Sequence, residues 1–160
     1  MTPARKSVLE YGINALTRRA YSTAELRKKL IGKGYTPEET ESVLQLFLSK
    51  GFLNDRLYAE NLVSVLKERG DGRKKIAGKL YLKGIPREIA SEVLDQMESE
   101  TPEDEGAFAS LLKKRSALLR EKDQQKRKEK AIRYLCSRGF SVSSAFTAWK
   151  RFSGKEDPEE

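Results

Sequence analysis

One pattern of apolar residues and glycine occurs three times along this 160-residue chain. Two apolar residues stand four positions apart, a glycine follows four positions later, and an apolar residue comes directly after the glycine. The three copies are Leu26, Leu30, Gly34 and Tyr35; Ile76, Leu80, Gly84 and Ile85; and Ala131, Leu135, Gly139 and Phe140. Further apolar pairs follow at one offset, as Val43 and Phe47, Val93 and Met97, and Ala148 and Phe152. The pattern predicts tandem copies of one supersecondary unit.

Each position of the pattern has a physical role in a helix that ends just before the glycine. Apolar residues four apart lie on one face of a helix. A glycine after the helix end adopts the left-handed conformation without the penalty of a Cβ, and the next apolar residue closes a Schellman turn. The predicted structural residues of the repeat are Leu30, Gly34, Leu80, Gly84, Leu135 and Gly139. A cation precedes each glycine (Lys33, Lys83 and Arg138), where we expect it to compensate the helix dipole rather than contact a ligand.

Helix-start signals agree with this division. Capping boxes begin at Ser22 and Thr36. A helical pattern also precedes each copy of the repeat, so three helices are expected per copy. We therefore predict an all-α fold of nine principal helices in three tandem three-helix modules, with boundaries of about 4–52, 54–99 and 105–153. An acidic linker at 100–106 is expected before the third module, and a disordered acidic tail at 154–160.

Composition argues against several classes of chemistry. The chain has no His and a single Cys, which removes the usual general base, the catalytic triad and nearly every zinc site. We predict no catalytic residues, no metal and no cofactor. Cys136 stands beside apolar residues and is predicted to lie in a core. Without a signal peptide or a long apolar stretch, the chain is expected to be cytoplasmic.

Basic clusters are the main indication of a binding function. Lys and Arg outnumber Asp and Glu by 32 to 24, and the resulting charge of +8 favours a polyanion or an acidic protein surface as partner. The candidate contact residues are Arg18, Arg19, Arg27, Lys28, Lys29, Arg73, Lys74, Lys75, Lys113, Lys114, Arg115, Arg127 and Lys128. For Lys113 to Arg133, a binding surface and a solvated helix face remain equally open.

The cluster of Arg73, Lys74 and Lys75 is the most suggestive of these, because three cations at a helix N-terminus oppose the helix dipole. A local rule broken without visible compensation indicates function. The aromatic residues do not alternate with the cations as a base-stacking platform requires. Five of them fall at repeat positions and are predicted to be core: Tyr35, Phe47, Phe52, Phe140 and Phe152.

Four segments of the repeat resemble the signatures of the RecX family, in the family's order and across nearly the whole chain. They are R-R-A-Y-S-x-x-E-L-x-x-x-L-x-x-K-G-Y from Arg18, G-F-L-N-D-x-x-Y-A from Gly51, G-x-x-x-I-x-x-x-L-x-x-K-G-I from Gly72, and Y-L-x-x-R-G-F-S from Tyr134. The chain departs from the family at Leu57, where Arg is common, and at Lys79, where Glu is common.

The resemblance implies three tandem three-helix modules in an elongated, curved molecule. It implies a regulator that binds the RecA filament on DNA, along its groove, and inhibits strand exchange, coprotease activity and ATP turnover. It implies no cofactor. We expect a monomer that does not associate with membranes, and single- or double-stranded DNA stays open as a further partner.

A basic helical-repeat protein that binds DNA on its own is the alternative, since tandem three-helix units resemble helix-turn-helix domains. A purely structural adaptor would leave the basic clusters without a purpose.

Overall fold

Every regular element that the computed structural model describes, over residues 5–154, is an α-helix. The helices are α1 Val8–Arg18, α2 Thr23–Gly32, α3 Pro37–Ser49, α4 Asp55–Glu68, α5 Arg73–Leu82, α6 Arg87–Glu100, α7 Glu103–Lys113, α8 Arg115–Leu119, α9 Gln124–Ser137 and α10 Val142–Gly154. The predicted all-α fold is therefore confirmed.

Both predicted capping boxes are present. The Ser22 hydroxyl accepts from the Glu25 backbone N–H, and the Glu25 carboxylate accepts from the Ser22 backbone N–H. Thr36 and Glu39 repeat this arrangement at α3, where Pro37 is the first helical residue. These local hydrogen bonds satisfy backbone donors that have no partner inside the helix.

The glycines of the repeat have the predicted left-handed conformation, with φ of +92° at Gly34, +72° at Gly84 and +94° at Gly139. Each forms a Schellman turn. In the first copy, Gly34 N–H donates to the Ile31 carbonyl at 2.9 Å, and Tyr35 N–H donates to the Leu30 carbonyl at 3.3 Å. The same two bonds recur after α5 and α9. All three glycines therefore stand directly after a helix end in the left-handed conformation.

The predicted acidic linker at 100–106 is wrong for most of its length. Helix α6 continues to Glu100, and α7 begins at Glu103. The first turn of α7 contains Glu103, Asp104 and Glu105. Negative side chains at a helix N-terminus stabilise the helix, because they interact favourably with the positive end of its dipole. The acidic run therefore starts a helix instead of separating two modules.

Ten helices are present within residues 5–154, not nine, because the first helix of the third copy is interrupted at Lys114. There the Lys114 N–H donates to the Leu111 carbonyl in a tighter turn, and the short α8 follows. Of the predicted tail 154–160, Gly154 is the last residue of α10, and the rest lies outside the described residues.

The chain divides into two compact units. Within the described residues, the first unit comprises 5–61 with Leu80–Ala90, and the second comprises Leu62–Lys79 with 91–154. Helices α4, α5 and α6 contribute residues to both units. The core of α1–α3 consists of Ala15, Tyr21, Leu26, Leu30, Tyr35, Val43, Leu44, Phe47 and Leu53. The core of α7–α10 contains Ala107, Phe108, Leu111, Leu118, Ala131, Leu135, Phe140, Ala145, Ala148, Trp149 and Phe152.

Two predicted core residues are exposed. Phe52 is exposed because the next residue, Leu53, takes the buried position after the turn at Gly51. Cys136 is exposed because it follows Leu135 directly, and consecutive helix residues do not lie on the same face. None of the helices within residues 5–154 is long and apolar enough to cross a bilayer.

Candidate functional site

The end of α5 contacts the start of α2 within the first compact unit, an arrangement we call the first junction. The Ser22 hydroxyl donates a hydrogen bond to the Lys83 carbonyl. Gly84 lies so close to Ala24 that a Cβ there would collide with the alanine methyl group. The negative end of one helix therefore contacts the positive end of another, and each end satisfies polar groups of the other.

A second junction, within the second compact unit, joins the end of α9 to the start of α5. Gly72 N–H donates to the Arg138 carbonyl at 2.7 Å, and Lys74 N–H donates to the Gly139 carbonyl at 3.3 Å. A Cβ on Gly139 would lie 2.5 Å from the backbone nitrogen of Lys75. Gly72 and Ser22 are equivalent in the repeat, as are Arg138 and Lys83. The same junction thus occurs twice.

Asp71 is the central charge of the second junction. Its carboxylate is 1% exposed and lies 2.9 Å from Arg138, 3.5 Å from Lys75 and 3.3 Å from Lys79. Burial raises the pKa of Asp71, but hydrogen bonds from Arg138 and Lys79 and the charge of Lys75 hold that pKa below its ordinary value. The hydrogen bond to Asp71 also raises the pKa of Arg138. The carboxylate and its cations fasten α9 to the start of α5.

Glu25 has the corresponding role in the first junction. Its carboxylate lies 3.5 Å from Lys83 and 3.6 Å from Arg19. Burial raises the pKa of Glu25, but the Ser22 backbone, Tyr58 and the two cations lower that pKa overall. Burial and the carboxylate together raise the pKa of Tyr58 to about 12. Lys83 and Arg138 are therefore helix-end residues, as predicted, and also partners of carboxylates beyond their own helices.

The three cations that open α5 have different environments. Arg73 lies 2.9 Å from Asp95 and 2.8 Å from Glu98, both on α6. Lys75 faces Asp71. The inference that these cations lack compensation is wrong for Arg73 and Lys75, because acidic residues outside their own cluster neutralise them. Lys74 is exposed and forms no ion pair with any residue in 5–154.

Other predicted contact residues already have intramolecular partners. Arg19 stacks 3.6 Å over the ring of Tyr21, and Arg27 pairs with Glu41 at 2.5 Å. Arg127 donates twice to the Glu121 carbonyl. Three lysines lie over aromatic rings: Lys29 over Tyr21, Lys114 over Tyr134 and Lys128 over Phe146.

The remaining candidates are exposed, and they form no ion pair within the part of the chain that the structure describes. They are Arg18, Lys28, Lys74, Lys113 and Arg115. Arg18 and Lys28 belong to the first unit, and Lys74, Lys113 and Arg115 belong to the second. When an unpaired cation binds an external anion, no existing ion pair has to break. The free-energy cost of forming such a contact is therefore lowest for these five residues.

Two exposed apolar residues are not predicted by the sequence pattern. Tyr81 is 82% exposed and Leu82 is 80% exposed, at the last turn of α5. Their equivalents are Ile31 and Gly32 in the first copy, and Cys136 and Ser137 in the third. Only the second copy carries two large side chains there, and this difference between copies is the signal in the sequence that could have found them. Among residues 5–154, no group of three acidic or Cys side chains could hold a metal ion.

Comparison with known proteins gives consistent results. A family model described as "RecX, first three-helix domain" matches residues 9–45, and one described as "RecX, second three-helix domain" matches 54–94. The Regulatory protein RecX of Haemophilus influenzae (strain 86-028NP) is 37% identical over 131 residues, which cover 81% of this chain and 84% of the relative.

The Regulatory protein RecX of Thermus thermophilus is 32% identical over 142 residues, covering 89% of each chain. A crystal structure of RecX from Lactobacillus salivarius has the same fold, with a TM-score of 0.78 at 20% identity, over 91% of this chain and 94% of that one.

Proposed function

Since the chain belongs to the RecX family, we propose that it is a regulator that binds the RecA filament on DNA and modulates, mainly by inhibition, the recombinase, coprotease and ATPase activities of RecA. The observation that carries the proposal is identity of more than 30% to proteins named Regulatory protein RecX, over more than four fifths of the chain. The relatives are named as regulatory proteins, and we propose that this chain likewise acts by binding, without a reaction of its own, in the cytoplasm.

The charges of the described residues support a binding role. A filament on DNA offers phosphates and acidic side chains to a protein lying against it. Arg18, Lys28, Lys74, Lys113 and Arg115 are exposed and without ion pairs in the described part of the chain. We propose these five as the first contacts, and the already paired candidates as secondary contacts that would exchange one partner for another.

RecA-catalysed ATP hydrolysis on single-stranded DNA, titrated with this protein, tests the proposal. We expect the rate to fall as the protein is added, and the inhibition to weaken as salt rises, because the contacts are ionic. The Leu80→Ala variant, which loses a fully buried side chain, serves as a destabilised control. A hydrolysis rate that stays constant up to a large excess of folded protein would exclude regulation of ATP turnover.

Binding to DNA without RecA is a second candidate, favoured by the same five unpaired cations. Binding to single- and double-stranded DNA at physiological salt, with and without RecA, distinguishes the two. A regulator of the filament requires RecA for its tight binding, and an independent DNA-binding protein does not.

A further inference from the structure

A cavity of about 470 Å³ opens at the first junction, between the start of α2 and the end of α5. Its wall carries four cations, Arg19, Lys28, Lys29 and Lys83, together with Tyr21 and Leu82. Glu25 is the one carboxylate in the wall, and it lies 3.6 Å from Arg19 and 3.5 Å from Lys83. The cavity therefore has a strong excess of positive charge, which favours an anion.

At the second junction, a buried carboxylate occupies the cations of the same arrangement. There Asp71 is enclosed by Lys79 and Arg138. In the repeat, Lys79 is equivalent to Lys29 and Arg138 to Lys83, so both cations are also present at the first junction. The equivalent of Asp71, however, is Tyr21. At the first junction Lys83 pairs with Glu25 instead, and Lys29 is left without a carboxylate partner among the described residues.

Two apolar residues, Tyr81 and Leu82, lie in the last turn of α5, the helix whose end contributes to the wall. Leu82 forms part of the cavity wall, and Tyr81 precedes it with a ring that is 82% exposed. An exposed aromatic ring combined with a cluster of cations is what proteins use to bind single-stranded nucleic acid, because bases stack on the ring while cations hold the backbone. In a duplex the bases already stack on each other and offer no free face.

We propose that the cavity of the first junction binds single-stranded nucleic acid, with a backbone phosphate held by Lys28 and Lys29 and a neighbouring base stacked on Tyr81. Lys28 has no ion pair within the described residues, and Lys29 lies 5.8 Å from the ring of Tyr21 without a carboxylate partner there. Leu82 excludes water beside the phosphate, which strengthens the ionic contacts. This site deepens the second candidate function, and it operates in the absence of RecA.

Binding of a fluorescent oligothymidylate to the full chain, measured by anisotropy without RecA, tests the site. Tyr81→Ala should weaken binding by about 5- to 150-fold, which corresponds to about 1–3 kcal/mol per stacked base. Tyr81→Phe keeps the ring and should bind like the parent. The double change of Lys28 and Lys29 to Ala should lower the slope of log affinity against log salt by about 0.7, because the two lysines hold one phosphate of a single strand.

Lys50→Ala combined with Lys150→Ala is the matched control, because it removes the same charge from two exposed positions outside the cavity. It should lower affinity less than the Lys28 and Lys29 double variant. Helicity and thermal midpoint of every variant should match the parent, since all the changed side chains are exposed.

Three results would overturn the proposal. The first is equal affinity of Tyr81→Ala and the parent for oligothymidylate. The second is a duplex that binds as tightly as the single strand and loses as much affinity with Tyr81→Ala. The third is displacement of the oligonucleotide by polyglutamate as readily as by unlabelled oligothymidylate, which would assign the cavity to an acidic protein segment. A parent protein that binds the oligonucleotide as proposed but does not inhibit RecA would count against the proposed function alone.

Discussion

The guanidinium of Arg138 donates to the buried carboxylate of Asp71 at 2.9 Å, across 67 residues of sequence. This contact joins the residue before the glycine of one Schellman turn to the turn that precedes α5. It explains why a cation stands before the glycine in the third copy: the side chain compensates its own helix end and also binds a carboxylate elsewhere.

We predict that Asp71→Asn destabilises the protein by about 1–3 kcal/mol at neutral pH, because three cations lose the charge that they share. The folded-state pKa of Asp71 lies below its ordinary value of 3.8. The ionised carboxylate therefore stabilises the folded protein fully above its ordinary pKa, and this contribution is lost as the pH falls through the lower pKa of the folded state. Urea unfolding between about pH 6 and pH 3 should show a smaller loss of stability for the variant than for the parent.

Asp95→Asn is the control for this prediction, since Asp95 is exposed and pairs only at the surface with Arg73. It should cost less than about 1 kcal/mol. Equal unfolding midpoints for Asp71→Asn and the parent at neutral pH would show that the buried ion pairs contribute nothing.

The glycines of the repeat should differ in their tolerance of alanine. All three have positive φ, so each change costs about 1 kcal/mol from backbone strain. Gly34→Ala meets little else, because only a guanidinium nitrogen of Arg5 lies near, at 3.6 Å. At Gly84 and Gly139 the new Cβ collides with Ala24 and with the Lys75 backbone, and these variants should lose more than about 2 kcal/mol.

Gly78→Ala provides the matched comparison for the glycine series. Gly78 lies inside α5, and no atom lies within 4 Å of the position of its Cβ. The change should stabilise the protein by about 0.5–1 kcal/mol. Chemical unfolding of the four variants measures these differences. If Gly34→Ala lowered the free energy of unfolding as much as Gly139→Ala, the assignment of the junctions would be contradicted.

The cluster at the start of α5 should separate into two kinds of residue. Lys74→Ala should leave stability unchanged and reduce inhibition of RecA. It should also lower the slope of log affinity against log salt by nearly one unit for each phosphate that the lysine binds in the parent. Arg73→Ala should instead cost up to about 1 kcal/mol, because it breaks exposed pairs with Asp95 and Glu98. Inhibition assays over a salt series, beside urea unfolding, measure both effects.

If Lys74→Ala inhibits RecA as well as the parent at every salt concentration, the start of α5 is a solvated helix end. The first contacts must then lie among Arg18, Lys28, Lys113 and Arg115. Leu80→Ala shows how activity is lost through unfolding instead. Removal of this fully buried side chain should lower the free energy of unfolding by roughly 2–5 kcal/mol.

Purified protein should contain no stoichiometric metal and should hydrolyse no ATP without RecA. The chain has no His and one Cys, and its acidic residues are not gathered into a ligand set in the described part. Elemental analysis and a RecA-free hydrolysis assay test the two statements, and zinc at one equivalent would contradict the first.

The basic cluster at Arg73 to Lys75 illustrates where a prediction from sequence stops. The composition of the cluster predicts three uncompensated cations at a helix start, because nothing in the spacing shows that Asp95 and Glu98 face Arg73, although Asp71 stands only four residues before Lys75. The acidic run at Glu103 predicts a linker by its polar composition, although the same carboxylates stabilise a helix start. In both cases the sequence identifies the charge and does not identify its partner.

Local signals in the sequence are enough to specify the helices and most of their ends. Capping boxes and Schellman turns involve residues no more than five positions apart, so Ser22, Thr36 and the repeat glycines specify them without help from the rest of the chain. Which charges are paired and which stay available depends instead on tertiary packing. Asp71 and Arg138 are 67 residues apart, and whether a cation meets a carboxylate at that separation depends on how helices pack, not on spacing. The same packing leaves Tyr81 exposed, next in sequence to Leu82 in the wall of a positive cavity that no local pattern predicts.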